Sequence, residues 1–234
     1  MNGKLYLVPN SLGNEDNNIF LAPWVSRLIP ELKHLIVEDV RNARRYLKRI
    51  DRDIDIDSIT FYLLNKHTPT DEISSFLQPL MKGMDVGIIS EAGLPGIADP
   101  GASVVRLAHQ KNFKVIPLTG PSSIFMALMA SGLNGQSFRF CGYLPVKSNE
   151  RIQALKRLEK KAVDENETQI FIETPYRNNA IVEDILRACH NQTMLTIAVD
   201  ITLPEEFIIT RTVNEWKKKK PDLHKRPAVF LMGR

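Results

Sequence analysis

The chain has 234 residues, 43% hydrophobic and 25% charged, with a formal net charge of +4 and an isoelectric point near 9.0. That is an ordinary globular balance, long enough for one large core or two smaller ones, and basic enough to tolerate a polyanion. It argues against a disulfide scaffold, a zinc module or a membrane protein: Cys141 and Cys189 are expected as buried free thiols in a reducing cytoplasm, MNGKLYLV is too short for a secretory signal, and no stretch approaches a bilayer span.

The first strand is predicted at Lys4–Val8 and runs into Pro9-Asn10-Ser11-Leu12-Gly13-Asn14. A helix over Asn18–Ile29 leads to a strand at His34–Val37, then to Glu38-Asp39-Val40-Arg41 and a helix over Asn42–Ile50. Arg41, Arg44, Arg45, Lys48 and Arg49 make that region strongly basic. Helical spacing puts Arg41, Arg45 and Lys48 or Arg49 on one side, which suits phosphate contacts as well as a solvated face. A strand at Thr60–Leu64, a helix at Thr70–Lys82 and a strand at Asp85–Ser90 follow.

Ser90 to Gly101, reading SEAGLPGIADPG, is the most informative segment. Three glycines, two prolines and two carboxylates fall within twelve residues, where a plain strand-to-helix link takes about two to six. Such a loop exposes backbone groups and admits a ligand close to the main chain. A helix over Ala102–Lys111, a strand at Phe113–Leu118 and Thr119-Gly120-Pro121-Ser122-Ser123 come next, with Ser122 or Ser123 able to cap a further helix. In a parallel sheet the loops after the first, fourth and fifth strands share one edge and can converge on one ligand. GxGxxG, GxxxxGK[ST] and GxSxG are all absent, and the five histidines have no metal-ligand spacing. Backbone and shape therefore do the holding, which suits a nucleoside-like body better than a polyphosphate.

From Ser137 the alternation restarts: strand Ser137–Gly142, helix Asn149–Lys161, strand Gln169–Ile172, helix Asn178–His190, strand Met194–Val199. Strands at Phe207–Val213 and Ala228–Met232 then enclose only the short segment Asn214–Lys219. The fold class is α/β, with two α/β domains: residues 1–118 with a mainly parallel sheet and 137–234 with a mixed one, joined by a linker region at 119–136. Glu173-Thr174-Pro175-Tyr176-Arg177 ends a strand, where an acid, an aromatic and an arginine can bind a base or ribose, or make a Pro turn with a local ion pair. Tyr6, Tyr62 and Tyr143 read as packing residues, and Lys217–Lys220 as a solubilising turn.

LYLVPNSLGN, VEDVRNARRYL, SEAGLPGIADPG, PLTGPSS, FCGYLPVKSNER, FIETPYR and PAVFLMG occur in that order across nearly the whole chain. Together they resemble the tetrapyrrole (corrin/porphyrin) methylase superfamily, and within it the branch that methylates a cytidine ribose 2′-hydroxyl in small-subunit ribosomal RNA. The chain departs from that branch at Glu91, where Asp is usual, at Leu94 and Val40, where Thr is usual, and in Pro9–Asn14, where Pro-Thr-Pro-Ile-Gly-Asn is usual. The resemblance implies a homodimer with S-adenosyl-L-methionine (AdoMet) in a cleft between two domains. It implies cofactor contacts from Pro9, Ser90, Glu91, Ala92, Gly93, Pro95, Gly96, Asp99, Pro121, Ser122 and Ser123, and from Tyr143, Leu144, Pro227 and Ala228 of the second domain, with no metal.

A ribose hydroxyl is a poor nucleophile until its proton leaves, so Glu91, Asp39 and Glu173 are the candidate catalytic bases. Arg41, Arg44, Arg45, Tyr176 and Arg177 are the candidates to hold ribosomal RNA or the small subunit. A methyltransferase of a small molecule such as a tetrapyrrole, and a non-catalytic RNA- or ribosome-binding protein, are the alternatives.

Overall fold

Five short strands, β1 (Lys4–Val8), β2 (His34–Val37), β3 (Thr60–Leu63), β4 (Val86–Ile89) and β5 (Lys114–Pro117), pair in parallel in the order β3-β2-β4-β1-β5. They belong to the first of two units, Met1–Ser122 and Ser123–Arg234. The computed structural model describes residues 2–13, 16, 20–65 and 67–234.

Helices α1 (Pro23–Leu28), α2 (Val40–Ile50), α3 (Thr70–Phe76), α4 (Gln78–Met81) and α5 (Gly101–Gln110) lie in the same unit. Strand alternation sends successive side chains to opposite faces. Tyr6 and Val8 therefore join a core with Val37, Tyr46 and Leu47, while Leu5 joins a second with Ile36, Leu80, Val86 and Val104. β4 is buried along its whole length, whereas β3 and β5 at the edges are half exposed. Pro117 lacks a donor and sits in the edge strand β5, where none is needed on the outer side.

Two helices differ from expectation. The stretch predicted at Thr70–Lys82 breaks at Leu77, because Pro79 has no N–H to continue the ladder and is accommodated instead in the first turn of a new helix. Of the helix expected at Asn18–Ile29, residues 18–19 lie outside the described residues; α1 opens at Pro23 and is followed by a 3-10 turn at Ile29–Glu31.

The second unit holds α6 (Ser123–Ser131), β6 (Phe138–Tyr143), α7 (Ser148–Asp164), β7 (Thr168–Ile172), α8 (Asn178–Ala188), β8 (Met194–Val199), β9 (Phe207–Thr212), α9 (Val213–Lys218) and β10 (Ala228–Gly233). Its sheet runs β6-β7-β10-β8-β9, parallel only between β6 and β7, so the mixed sheet is as expected. The segment read as a linker contains α6, which is tied into this unit: Thr210 Oγ1 donates to Ser131 O at 2.6 Å. Cys189 is buried and Cys141 only half buried, both as free thiols.

Arg151 and Asp184 join α7 to α8 as a buried ion pair, with the Arg151 Nε at 2.8 Å from Asp184 Oδ2. The same guanidinium donates to Val146 O at 2.7 Å and Pro145 O at 3.3 Å, so it also holds the turn that follows Tyr143 and Leu144. Arg151→Ala would strand a buried carboxylate that keeps only Ser148 and the exposed Arg187 as partners. Urea denaturation should show a loss of about 3 kcal/mol, the lower end for a broken buried pair. A loss under about 1 kcal/mol would mean the pair is solvated.

Candidate functional site

The site in the first unit is built where β1, β4 and β5 end. Asn10, buried just past β1, joins its loop to the one after β4. Its Nδ2 donates to Ser90 O at 2.9 Å and Glu91 O at 3.1 Å, and its Oδ1 accepts from Ser11 N at 2.8 Å. Its backbone pairs both ways with Gly93, N to O at 2.8 Å and O to N at 3.2 Å. Beside it, buried Tyr46 of α2 donates its hydroxyl to Pro9 O at 2.5 Å, and burial pushes that phenol well above its ordinary pKa, so it stays a donor. The loop after β5 closes on the same point: a Cβ on Gly120 would fall 2.1 Å from Pro9 Cβ. Only glycine permits that approach.

The loop over residues 90–101 takes its shape from left-handed backbone at Gly93 (φ +69), Gly96 (φ +84) and Ala98 (φ +63). Asp99 closes it, accepting from Gly96 N at 2.8 Å and Gly101 N at 2.7 Å. Burial raises the Asp99 pKa and those amides pull it back. Asp99, expected as a cofactor contact, has its carboxylate turned to the loop's own amides. At Gly96 a Cβ would meet nothing nearer than Ala102 N at 4.0 Å, so the main chain there borders open space. These are features a backbone-held ligand requires: a pinned loop, glycines with left-handed φ, and room beside them.

A cavity of about 640 Å³ opens between this loop and α2, lined by Asn10, Ser11, Leu12 and Gly13 on one side, Asn42, Arg45, Lys48 and Arg49 on α2, and Glu91 with Ala92. Glu91 Oε2 accepts from Asn42 Nδ2 at 2.5 Å, and Asn42 Oδ1 accepts from Arg45. Lys48 Nζ is anchored on Arg52 O and Ile54 O at 2.8 and 2.9 Å. Of the four arginines expected to bind substrate, Arg41, Arg44, Arg45 and Arg177, Arg45 is the one that lines this cavity. Arg44 turns to the other flank, over the Phe61 ring and 3.7 Å from Asp57.

The acids sort differently from expectation. Asp39 is exposed and caps α2, its Oδ1 accepting from Asn42 N at 2.8 Å, which is also why the helix starts two residues early. Its neighbour Glu38, which no sequence signal singled out, faces the loop: Glu91 N approaches its Oε1 at 3.4 Å. Burial raises the Glu38 pKa, the Glu91 amide lowers it, and the charges of Asp99 and Glu91 raise it further.

In the second unit, Tyr143 is 57% exposed and Pro227 is exposed, whereas Leu144 and Ala228 are buried. Tyr143 is thus not the packing residue expected of it. Glu173 and Arg177, assigned separately to catalysis and substrate, pair with each other at 2.5 Å. The Glu173 side chain is fully buried, its Oε1 also accepting from Thr174 N, and its Oε2 has no hydrogen-bond partner among the described residues. Tyr176 is 72% exposed, edge-on to His224. Among the described residues no three His, Cys, Asp or Glu side chains group as metal ligands, and no helix is long and apolar enough to cross a membrane.

Residues 22–216 match the family model of tetrapyrrole (corrin/porphyrin) methylases. The chain is 31% identical over 213 residues to ribosomal RNA small subunit methyltransferase I of Halalkalibacterium halodurans, covering 91% of this chain and 69% of that one. It is 30% identical over 236 residues to the protein of the same name from Escherichia coli O157:H7, covering 98% and 77%. Among solved structures, the methyltransferase CobJ superposes with a TM-score of 0.64 at 17% identity, over 99% of this chain and 94% of that one. The Thermus thermophilus uroporphyrin-III C-methyl transferase, complexed with S-adenosyl homocysteine, gives 0.57 at 15% identity, over 99% and 98%.

The pKa shifts at this site have a testable sign. Glu38 and Asp99 are raised in the folded state, so their contribution favours folding below the unfolded carboxylate value, about pH 4, and is lost as pH rises through the folded value. Glu38→Gln should therefore melt higher than wild type at about pH 7, with the gap closing towards about pH 4. A variant that melts lower at neutral pH would show that the ionised carboxylate is needed.

Proposed function

The chain belongs to the tetrapyrrole (corrin/porphyrin) methylase family, and we propose that it is an AdoMet-dependent methyltransferase of small-subunit ribosomal RNA, acting on a cytidine ribose 2′-hydroxyl. The reading includes a cytoplasmic homodimer. Relatives at about 30% identity carry the name ribosomal RNA small subunit methyltransferase I. The single observation that carries the RNA acceptor is the cavity wall of Arg45, Lys48 and Arg49 standing across from Glu91.

The residues present fit AdoMet. Main chain at Ser90, Ala92, Gly93, Pro95 and Gly96, with Pro9, Pro121 and Ser122 in the same unit, offers carbonyl oxygens and, at Gly93 and Gly96, a surface without Cβ atoms, and nothing there is built for a polyphosphate. When bound, AdoMet supplies a methyl carbon on a sulfonium, whose transfer to oxygen leaves a neutral thioether holding the electron pair of the broken bond. The protein's part is chiefly to align and to move one proton. Asn10 and Tyr46 keep the cradle rigid. The cationic wall holds RNA phosphates, so the ribose enters through the cavity. Glu91, on the cavity surface and fastened among the described residues by one oxygen, takes the hydroxyl proton.

A tetrapyrrole acceptor is the second reading, favoured by the name of the family and by the uroporphyrin-III in the name of one structural neighbour. Labelled AdoMet offered to unmodified small subunits, to naked ribosomal RNA and to a tetrapyrrole panel separates the two. Label should enter RNA. Lys48→Ala with Arg49→Ala should weaken RNA binding at every sequence and flatten its salt slope by about one unit for each phosphate no longer held, with AdoMet affinity unchanged. Label entering only a tetrapyrrole would overturn the RNA reading.

A further inference from the structure

Asn42 links the acid of the β4 loop to the basic wall of the cavity. Its Nδ2 donates to Glu91 Oε2 at 2.5 Å while its Oδ1 accepts from the Arg45 guanidinium, and all three side chains line the cavity. Each polarity is forced. A carboxylate only accepts and a guanidinium only donates, so the amide between them has one possible orientation. The backbone of Asn42 is fixed as well, because its N–H is the donor to the Asp39 cap. A glutamate has three side-chain torsions, one more than the aspartate usual at this position, and an exposed one would populate many rotamers. Here one carboxylate oxygen is clamped, and the clamp is itself held from behind.

We propose that Asn42 and Arg45 are positioning residues for Glu91: a relay that orients its carboxylate towards the acceptor hydroxyl. The proposal rests on Glu91 being the proton acceptor. The hydroxyl proton passes to Oε1, the oxygen opposite the one Asn42 holds, as the hydroxyl oxygen takes the methyl group. Interposing a neutral amide also keeps the guanidinium from pairing directly with the carboxylate, which would close over the atom that must receive the proton. Arg45 lines the cavity and keeps donors beyond the one given to Asn42, so arrival of an RNA phosphate and alignment of the acid can share one side chain. Asp39, expected as a base, supports this relay through the helix cap.

The test is a double-mutant cycle read as single-turnover rate, with saturating AdoMet and small subunits lacking the methyl group. AdoMet affinity by calorimetry and RNA affinity by filter binding are measured on the same proteins. Asn42→Ala should lower the rate about tenfold or more, the cost of a misplaced group, with both affinities within about twofold of wild type. Arg45→Lys should lower the rate on its own, and the double variant should be no slower than Asn42→Ala, because the relay is already cut. Unchanged turnover by Asn42→Ala, or multiplicative losses in the double variant, overturns the relay. Full-rate turnover by Glu91→Gln overturns instead the role of Glu91 on which the relay rests. Absence of label in RNA with wild-type protein overturns the acceptor.

Discussion

Asn10 uses both donors and the oxygen of its side-chain amide at one buried point, and the rest of the site depends on that. Two carbonyls of the β4 loop, one amide of its own loop and a two-way backbone bridge to Gly93 meet there. In a low-dielectric setting each of these bonds is costly to break, since the released group stays buried. The clamp, together with Asp99, lets a long glycine-containing loop keep one shape. Gly120 against Pro9 adds the third loop by steric necessity. A surface of backbone atoms is thereby held still at the carboxyl edge of a parallel sheet.

Charge is distributed in accord with that surface. Glu38 and Asp99 lie against the loop, where burial raises their pKa, and neither reaches outward. Glu91 is the acid exposed to the cavity, and Arg45, Lys48 and Arg49 stand across from it. The cradle is nearly neutral and the neighbouring wall cationic. That separation matches a nucleoside-like cofactor beside a polyanionic acceptor better than it matches two small neutral ligands.

Much of this was legible in the sequence because strand and helix periods alternate cleanly and the three loops share one chemistry. What was not legible lay in choices between neighbours. Glu38 and Asp39 are adjacent acids; the preference of Asp for the position before a helix marks Asp39 as a cap, a signal available in the sequence. The i, i+4 spacing of Glu173 and Arg177 likewise announces an ion pair. Tyr143, read as a packing residue, follows a register irregularity and Gly142 at φ +66, which take it out of strand alternation and which no sequence pattern marks. Arg151 and Asp184 lie 33 residues apart on different helices, and no local pattern connects them.

The central claim is that a pinned backbone cradle in the first unit binds AdoMet. Calorimetric titration of the whole protein with AdoMet, wild type beside Asn10→Ala, tests it most directly. The account predicts one site per chain with a dissociation constant on the order of micromolar, weakened about tenfold or more when the clamp is removed from a protein that still folds. Folded wild-type protein that takes up no AdoMet, or an Asn10→Ala variant that binds as tightly as wild type, would contradict it.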